Sequence, residues 1–229
     1  TEKLEYKDFN DPSIINVESI IKVSASGICG SDMHAYHGKD ERRITPIILG
    51  HEVSGIIEQG SKKGKKVVLN PLITCGECEY CINKIEHLCP KRVLLGMNRP
   101  IERQGCFAEM VLTPDKNIYE LPNGLDIKLA PIAEPTAVSL HAVELGISTL
   151  KKPLDQCNVL VIGGGAIGLL CALILEKVKK CKDILLSEPN TKRLQVCKNN
   201  LSSNCINPNN KEINQNSFDI IFDTVGMEA

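Results

Sequence analysis

Hydrophobic and polar positions follow two different patterns along the chain, and the change lies near residue 150. Up to about Gly146, short runs rich in β-branched residues alternate with clusters of Gly, Pro, Asn and Asp. This alternation is typical of short strands joined by turns, and it predicts a mainly-β, barrel-like module. The candidate strands are Ile20–Val23, Val53–Ile57, Lys66–Leu69 and Phe107–Val111.

From Asn158 onwards, apolar runs of strand length alternate with longer runs of helix length. The order strand, helix, strand, helix, strand is the signature of a parallel sheet with crossover helices. We therefore predict two domains, a mainly-β domain over residues 1–148 and an α/β domain over residues 149–229. The predicted elements of the second domain are Val159–Ile162, Ile167–Val178, Asp183–Leu186, Lys192–Asn199 and Asp219–Phe222.

Composition and charge narrow the classes of function. The 229 residues are 42% hydrophobic, which is enough for a buried core, and the formal net charge is −1. This balance gives no support to binding of nucleic acid or of an anionic membrane, so we expect small-molecule partners. No apolar run approaches the roughly 18 residues that cross a bilayer. Eleven cysteines, some at metal-ligand spacing, fit a reducing compartment, and we expect the cytoplasm.

Four cysteines, Cys75, Cys78, Cys81 and Cys89, form a Cys-x2-Cys-x2-Cys-x7-Cys run. Four thiolates complete a tetrahedral shell around Zn²⁺ and leave no position for a substrate. The segment between them has few apolar side chains, so metal binding would supply the free energy that folds it. The run predicts a structural zinc lobe. A zinc ribbon that binds nucleic acid is disfavoured, because acidic residues offset the basic ones in this segment.

A glycine loop follows the first predicted strand of the α/β domain. Gly163, Gly165 and Gly168 form a Gly-x-Gly-x-x-Gly pattern in which Ala166 and Ile167 are the last two intervening residues. The first glycine permits the tight turn, the second lets the backbone approach a pyrophosphate, and the third lets the helix pack on the strand. The loop therefore predicts a dinucleotide site.

Glu188 lies at the end of the next predicted strand, about twenty residues after the loop, where an acidic side chain binds the ribose hydroxyls of NAD. A carboxylate at this place repels the 2′-phosphate of NADP, so NAD is the expected cofactor. Lys192 and Arg193 lie close enough in sequence to weaken that preference.

A second set of metal-type residues comes from separate segments of the β domain. The segment Gly27–His34 contains a cysteine, an aspartate and a histidine, and the segment Gly50–Glu52 contains a histidine and a glutamate. A thiolate, an imidazole and a carboxylate suit a catalytic zinc, which keeps one coordination position for water or substrate. Glu134 lies in a largely apolar run and could either ligate the metal or hold its water.

Five motifs in this order resemble the zinc-dependent medium-chain alcohol dehydrogenase family, and most closely its polyol (sorbitol-type) and threonine dehydrogenase branch. They are GICGSDMH, GHE, the four-cysteine run, AEPTAVSLHA and GGGAIG. The resemblance covers the chain from about Ile20 to Gly226. It implies a GroES-like β domain followed by a Rossmann domain, and a homo-oligomer (dimer or tetramer). Both ends of the chain look cut, so we expect a Rossmann domain that is incomplete at its C-terminus.

The resemblance also implies a role for each candidate residue of the catalytic centre. Cys29 and His51 would be zinc ligands, with Glu52 as the third ligand in polyol-type members. Glu134 corresponds to a fourth position that touches zinc either directly or through water, and both alternatives stay open.

Three residues of the GICGSDMH motif resemble the groups that serve the metal ligands and the substrate proton. Asp32 would orient the ligating histidine, which fixes its tautomer and raises its basicity. Ser31 would pass the substrate proton outward, and His34 could continue that relay towards solvent.

The implied reaction is hydride transfer from a secondary alcohol to NAD⁺, with two zinc ions per chain, one catalytic and one structural. The substrate class is open. A polyol or a sugar alcohol fits the implied reaction. Arg99 and Arg103 could instead bind the anionic group of a sugar acid or sugar phosphate. An L-threonine 3-dehydrogenase-like activity is a further alternative. A hypothesis of another class is a zinc-stabilised fragment that binds a nucleotide or a protein without turnover.

Overall fold

The computed structural model describes residues 2–99, 101–210, 213–214 and 216–226. The chain forms two compact units, Thr1–Glu134 and Pro135–Ala229. The sequence-based domain boundary lies later, after residue 148, because the long helix Ala133–Ser148 was not predicted. Val143 of this helix is fully buried in the core of the second unit, and most of the helix therefore belongs to that unit.

The first unit contains a five-stranded antiparallel sheet in the order β6-β1-β2-β3-β7. Its core is built from the inward-facing apolar residues of these strands, including Ile21, Val53, Ile57 and Val67, all at most 1% exposed. The strands are β1 (Glu18–Gly27), β2 (Glu52–Gln59), β3 (Lys66–Leu69), β6 (Met110–Pro114) and β7 (Ile118–Glu120).

Shorter elements of the first unit carry the candidate metal residues. Helix α1 (Gly30–Tyr36) follows β1, and a two-stranded sheet of β4 (Leu72–Ile73) and β5 (Val93–Leu94) brackets the four-cysteine segment. Helix α2 (Glu79–Ile82) and a 3-10 turn (Glu86–Leu88) lie within that segment.

Three of the four strands predicted in the β domain are confirmed, and the fourth is wrong at its start. The strand predicted at Phe107 begins at Met110. The backbone N–H groups of Cys106 and Phe107 instead donate to Gly50 and Leu49, so this stretch pairs with the loop before β2 rather than with a sheet neighbour.

The second unit contains a parallel sheet in the order β10-β9-β8-β11. Its elements are α3 (Ala133–Ser148, which begins in the first unit), β8 (Asn158–Ile162), α4 (Ala166–Leu173, continued by a π-helical turn over Ile174–Val178), β9 (Asp183–Ser187), α5 (Thr191–Asn200), β10 (Asn204–Ile206) and β11 (Ile220–Asp223). The predicted fold class, a mainly-β domain followed by a parallel α/β domain, is confirmed. Within the described ranges, none of the helices is long and apolar enough to span a membrane.

Candidate metal and cofactor sites

The four cysteines of the lobe lie at the distances that a zinc ion requires. The Sγ–Sγ distances are 3.5 Å for Cys78–Cys81, 3.6 Å for Cys75–Cys89 and 3.9 Å for Cys75–Cys81. A tetrahedron with Zn–S bonds of about 2.3 Å has S···S edges of about 3.8 Å, whereas a disulfide bond measures about 2.05 Å. The donor set therefore fits Zn²⁺ and not a pair of disulfides.

The acidities of two of these thiols reflect their crowded surroundings. Backbone N–H groups of Glu77 and Cys78 lower the pKa of the Cys75 thiol to about 6. A backbone hydrogen bond from Cys81 lowers the pKa of Cys78, but burial and the neighbouring thiols outweigh it and raise that pKa to about 11. Adjacent thiolates repel one another, and a divalent cation removes that repulsion.

The register of β1 against β2 assembles the second group of metal-type residues. Gly27 pairs with Glu52, so the turn after β1, which contains Cys29, lies beside the start of β2. The Sγ of Cys29, a ring nitrogen of His51 and a carboxylate oxygen of Glu52 all lie within 4.8 Å of one another, and we call these three residues the three-donor group. Their donor chemistry, one sulfur, one nitrogen and one oxygen, fits a catalytic zinc ion.

His51 is the most strongly perturbed member of this group. Burial lowers its pKa, but the nearby acidic side chains of Asp32 and Cys29 outweigh burial and raise that pKa to about 10. In turn, His51 lowers the pKa of the Cys29 thiol against the effect of burial. The Nδ1 atom of His51 is buried without a hydrogen-bond partner among the described residues. A Zn²⁺ ion bound here would take the neutral imidazole and the thiolate as ligands and would displace their protons.

Asp32 lies between Cys29 and His51. It is 3% exposed, and its Oδ1 lies 3.6 Å from Nδ1 of His51. Its Oδ2 accepts a hydrogen bond of 3.1 Å from the backbone N–H of Cys29, and Oδ1 accepts one of 3.4 Å from that of Gly50. The carboxylate thus ties the first turn of α1 to the His51 segment, as an orienting group would.

Two further carboxyls, those of Glu52 and Glu134, lie near the same centre. Burial raises the pKa of Glu134; the charge of His51 lowers it, and those of Glu52 and Asp32 raise it. Burial is also the largest cause of the raised pKa of Glu52. Glu134 interacts electrostatically with the three-donor group but is not part of the set that shares 4.8 Å, so its role as ligand or water holder stays a prediction.

Ser31 and His34 both lie on α1 and line one cleft of about 340 Å³. The Oγ atom of Ser31 accepts a hydrogen bond of 3.3 Å from the side chain of Arg43. The structure therefore brings both predicted relay residues to a common opening, and none of Cys29, His51 and Glu52 lines it. The other residues that line the cleft are Lys39, Asp40, Glu41 and Arg42.

The glycine loop has the geometry that its sequence predicts. Gly163 adopts φ +97°, in the left-handed region that favours glycine. A Cβ on Gly168 would lie 1.9 Å from the carbonyl oxygen of Gly163, so only glycine allows the helix to approach the strand so closely. A Cβ on Gly165, in contrast, would meet nothing within 4 Å. Gly165 caps α4, which begins with Ala166 and Ile167.

Glu188 is buried against this loop. It is 3% exposed, and its two oxygens accept hydrogen bonds of 2.7 Å from the backbone N–H groups of Gly164 and Asn190. The side chain of Asn190 accepts bonds from the backbone N–H groups of Lys192 and Arg193 at the start of α5. Sequence reasoning missed Asn190, although an asparagine just before a predicted helix is a recognisable N-cap.

Arg103 is paired within the chain. Its NH1 lies 2.9 Å from Oε1 of Glu18, whose side chain is 7% exposed. The hypothesis that Arg103 recognises an anionic substrate is therefore disfavoured. Sequence reasoning also missed Arg43, which is completely buried next to Ser31; its contacts join distant segments and leave no local signal.

Comparisons with known proteins show which enzymes the chain is similar to. Residues 16–123 match the alcohol dehydrogenase GroES-like domain family. The chain is 32% identical over 222 residues to the 2-dehydro-3-deoxy-L-galactonate 5-dehydrogenase of Pseudoalteromonas atlantica, covering 90% of this chain and 62% of that enzyme. It is 34% identical to the L-threonine 3-dehydrogenase of Bacillus licheniformis, covering 81% of this chain and 53% of the relative. The chain thus spans less than two thirds of the length of either relative.

A solved structure extends the likeness to the fold. The short chain alcohol dehydrogenase from Escherichia coli CFT073, complexed with NADH, superposes with a TM-score of 0.83 at 26% identity, covering 98% of this chain and 66% of that one. These matches confirm the resemblance: residues 16–123 match the GroES-like domain of alcohol dehydrogenases, and the chain is similar to sugar-acid, threonine and polyol-phosphate dehydrogenases.

Proposed function

We propose that the chain is the catalytic part of a zinc-dependent dehydrogenase that oxidises a secondary alcohol with NAD⁺. The observation that carries this proposal is the group of Cys29, His51 and Glu52, three donors of different chemistry within 4.8 Å. Three protein ligands leave a coordination position for the substrate, unlike the closed four-cysteine lobe, which would hold a second, structural zinc ion.

The residues around this group would supply the proton path. Bound Zn²⁺ would lower the pKa of the substrate hydroxyl as a Lewis acid, and NAD⁺ would accept the hydride. Ser31 would take the hydroxyl proton, and His34, which lines the same cleft, would pass it to solvent. Asp32 would keep His51 in its ligating orientation. Glu134 would either complete the zinc ligands or hold the water that the alcohol displaces.

The second unit would bind the cofactor at the glycine loop. The pyrophosphate would lie against Gly163–Gly168, where the backbone N–H groups of Ala166 and Ile167 open α4. Glu188 would accept hydrogen bonds from the ribose, since a carboxylate has about four acceptor sites and the chain uses two of them. Arg193, beside it in the first turn of α5, would moderate the preference for NAD over NADP.

The substrate class that we propose is a polyol, sugar alcohol or sugar acid. The sugar-acid dehydrogenase of Pseudoalteromonas atlantica supports this class. L-Threonine is a second candidate, supported by the relative from Bacillus licheniformis. A panel that contains neutral polyols, sugar acids and L-threonine distinguishes these candidates.

The test is NADH formation, measured as absorbance, with this panel in the full-length protein loaded with zinc. We expect turnover with at least one secondary alcohol, and we expect Cys29→Ser to abolish it while the fold remains. Cys205→Ser is the matched control, because Cys205 lies in β10 and is not a member of the three-donor group. Full zinc loading without turnover of any alcohol would contradict the proposal and favour a binding role.

Two further parts of the proposal concern the whole protein. We propose that it acts in the cytoplasm, supported by eleven cysteines that are all free thiols in the structure. We also propose a dimer or tetramer on the family resemblance. Cell fractionation tests the compartment, and light scattering of the full-length protein tests the assembly.

A further inference from the structure

Arg43 is a buried cation at the edge of the three-donor group. Its side chain is 0% exposed, and it lies in the loop between α1 and β2. A guanidinium is costly to bury unless its charge and its donors are matched. Asp40 matches the charge, with an oxygen 2.6 Å from NH1, and Asp32 has an oxygen 4.0 Å from NH2.

The remaining donors of Arg43 join two segments that are distant in sequence. NH1 donates to the backbone carbonyl of Ser31 (3.0 Å), and NH2 donates to Oγ of the same residue (3.3 Å). Nε donates to the carbonyl of Gly96 (3.1 Å). The planar guanidinium therefore holds the first turn of α1 on one side and the loop after β5 on the other.

Each of these segments leads to a metal-type residue. Ser31 lies two residues after Cys29 in the same tight turn. Gly96 packs on the backbone just before His51, because a Cβ on Gly96 would lie only 3.2 Å from the backbone nitrogen and oxygen of Gly50. Arg43 thus connects the thiol side of the three-donor group to the imidazole side.

We propose that Arg43 is a positioning residue that fixes the Cys29–Ser31 turn relative to the Gly50–His51 segment, and thereby holds the thiol and the imidazole together for a metal ion. The inference rests on the proposed function, since it takes Cys29 and His51 to be ligands. Arg43 also occupies one of the two lone pairs of the Ser31 hydroxyl, so the other remains to accept a proton from the substrate.

Lysine cannot replace this arrangement fully. Arginine presents five N–H donors in a rigid fork, whereas lysine offers a single ammonium on a flexible stem. Arg43→Lys keeps the charge opposite Asp40 but cannot reach both Ser31 and Gly96 with the same geometry. Arg43→Met keeps an unbranched but shorter apolar stem and loses every hydrogen bond.

The experiment measures zinc release from the full-length protein to a chromophoric chelator, with zinc counted per chain by mass spectrometry. Arg42→Met is the matched control, because Arg42 also pairs with Asp40 but is 62% exposed. In Arg43→Met we expect one zinc ion to bind about 10–100-fold more weakly, the range found when groups that orient metal ligands are removed. The other zinc ion, held by four cysteines, should be released at the wild-type rate. In Arg43→Lys, the affinity for this zinc ion should lie between those of the wild type and Arg43→Met. In both variants of Arg43, kcat should fall by a larger factor than KM rises.

Two results would overturn the inference. One is wild-type release of both zinc ions by a folded Arg43→Met protein. The other is an equally weakened binding of both zinc ions, together with a lowered melting temperature, in Arg43→Lys and Arg43→Met. A general loss of stability would explain that result without a positioning role for Arg43. Failure of the proposed function looks different: a wild-type protein that binds two zinc ions but oxidises no alcohol contradicts the proposed function and leaves the comparison of release rates valid.

Discussion

Replacing Gly27 by alanine should move one carboxylate and little else. Gly27 pairs with Glu52 across β1 and β2, and a Cβ at Gly27 would lie 2.0 Å from Oε2 of Glu52 and 3.1 Å from its Cβ and Cδ. A carbon and an oxygen approach no closer than about 3.3 Å, so the oxygen must move by roughly 1.3 Å. Metal–ligand distances tolerate only about 0.2 Å. Glu52 therefore cannot keep its place in the three-donor group.

The fold should tolerate the same substitution. The φ angle of Gly27 lies outside the left-handed region, and the closest atom is the end of a flexible side chain. We expect the free energy of unfolding to change by about 1 kcal/mol or less. We expect kcat/KM for the alcohol to fall by about 100-fold or more, which corresponds to about 2.7 kcal/mol in transition-state free energy.

The assay is a titration of the zinc-free protein with Zn²⁺, combined with steady-state kinetics and a thermal melt. Gly30→Ala is the matched control, because a Cβ at Gly30 would meet nothing within 4 Å and the residue lies in the same segment. We expect Gly27→Ala to weaken one of two zinc ions and Gly30→Ala to weaken neither. Equal zinc affinity in the two variants would refute the reasoning, and so would a crystal structure of Gly27→Ala with Glu52 unmoved.

Three further predictions address other parts of the molecule. Cys78→Ser should release one zinc ion and lower the melting temperature, whereas Cys205→Ser should do neither; retained zinc in the first variant would contradict the structural lobe. Glu188→Gln should raise KM for NAD⁺ by about tenfold, because a charged hydrogen bond to the ribose contributes about 1.5–3 kcal/mol. The same change should reduce the ratio of kcat/KM for NAD⁺ to kcat/KM for NADP⁺. An unchanged ratio would count against the role of Glu188. Burial alone would raise the pKa of Glu176, but hydrogen bonds from neighbouring donors, Ser203 among them, lower it to about 2. A lowered folded-state pKa stabilises the fold at pH values above the ordinary pKa of 4.5, and this stabilisation decreases as the pH falls towards 2. In acid melts, the wild type should therefore lose more free energy of unfolding over that interval than Glu176→Gln. Equal losses in the two proteins would contradict this.

Local patterns were sufficient for much of the fold. The strand predicted at Val159–Ile162, the glycine loop and the helix after it occur where the sequence predicts them, because apolar runs and glycines act on their immediate neighbours. Helix α3 was missed. Its first turn contains Pro135, which resembles a turn signal, and its apolar residues do not separate into one clear face.

The composition of the candidate site was also predictable, but its supporting contacts were not. Spacing alone indicated the four cysteines of the lobe, and the family resemblance implied Cys29, His51 and Glu52 before any geometry was known. The need for glycine at position 27 depends instead on the register of β1 against β2, and the role of Arg43 depends on Gly96, 53 residues away. Such contacts form only in the tertiary structure, so a single sequence contains no local sign of them.

The three-donor group and the four-cysteine lobe imply two zinc ions of different kinds in one chain. The most direct measurement is the zinc count per chain, by mass spectrometry, in the purified wild-type protein and in Cys29→Ser. We expect two zinc ions in the wild type and one in Cys29→Ser, with the remaining ion held by Cys75, Cys78, Cys81 and Cys89. A single zinc ion in the wild type, with the same count in Cys29→Ser, would contradict this expectation.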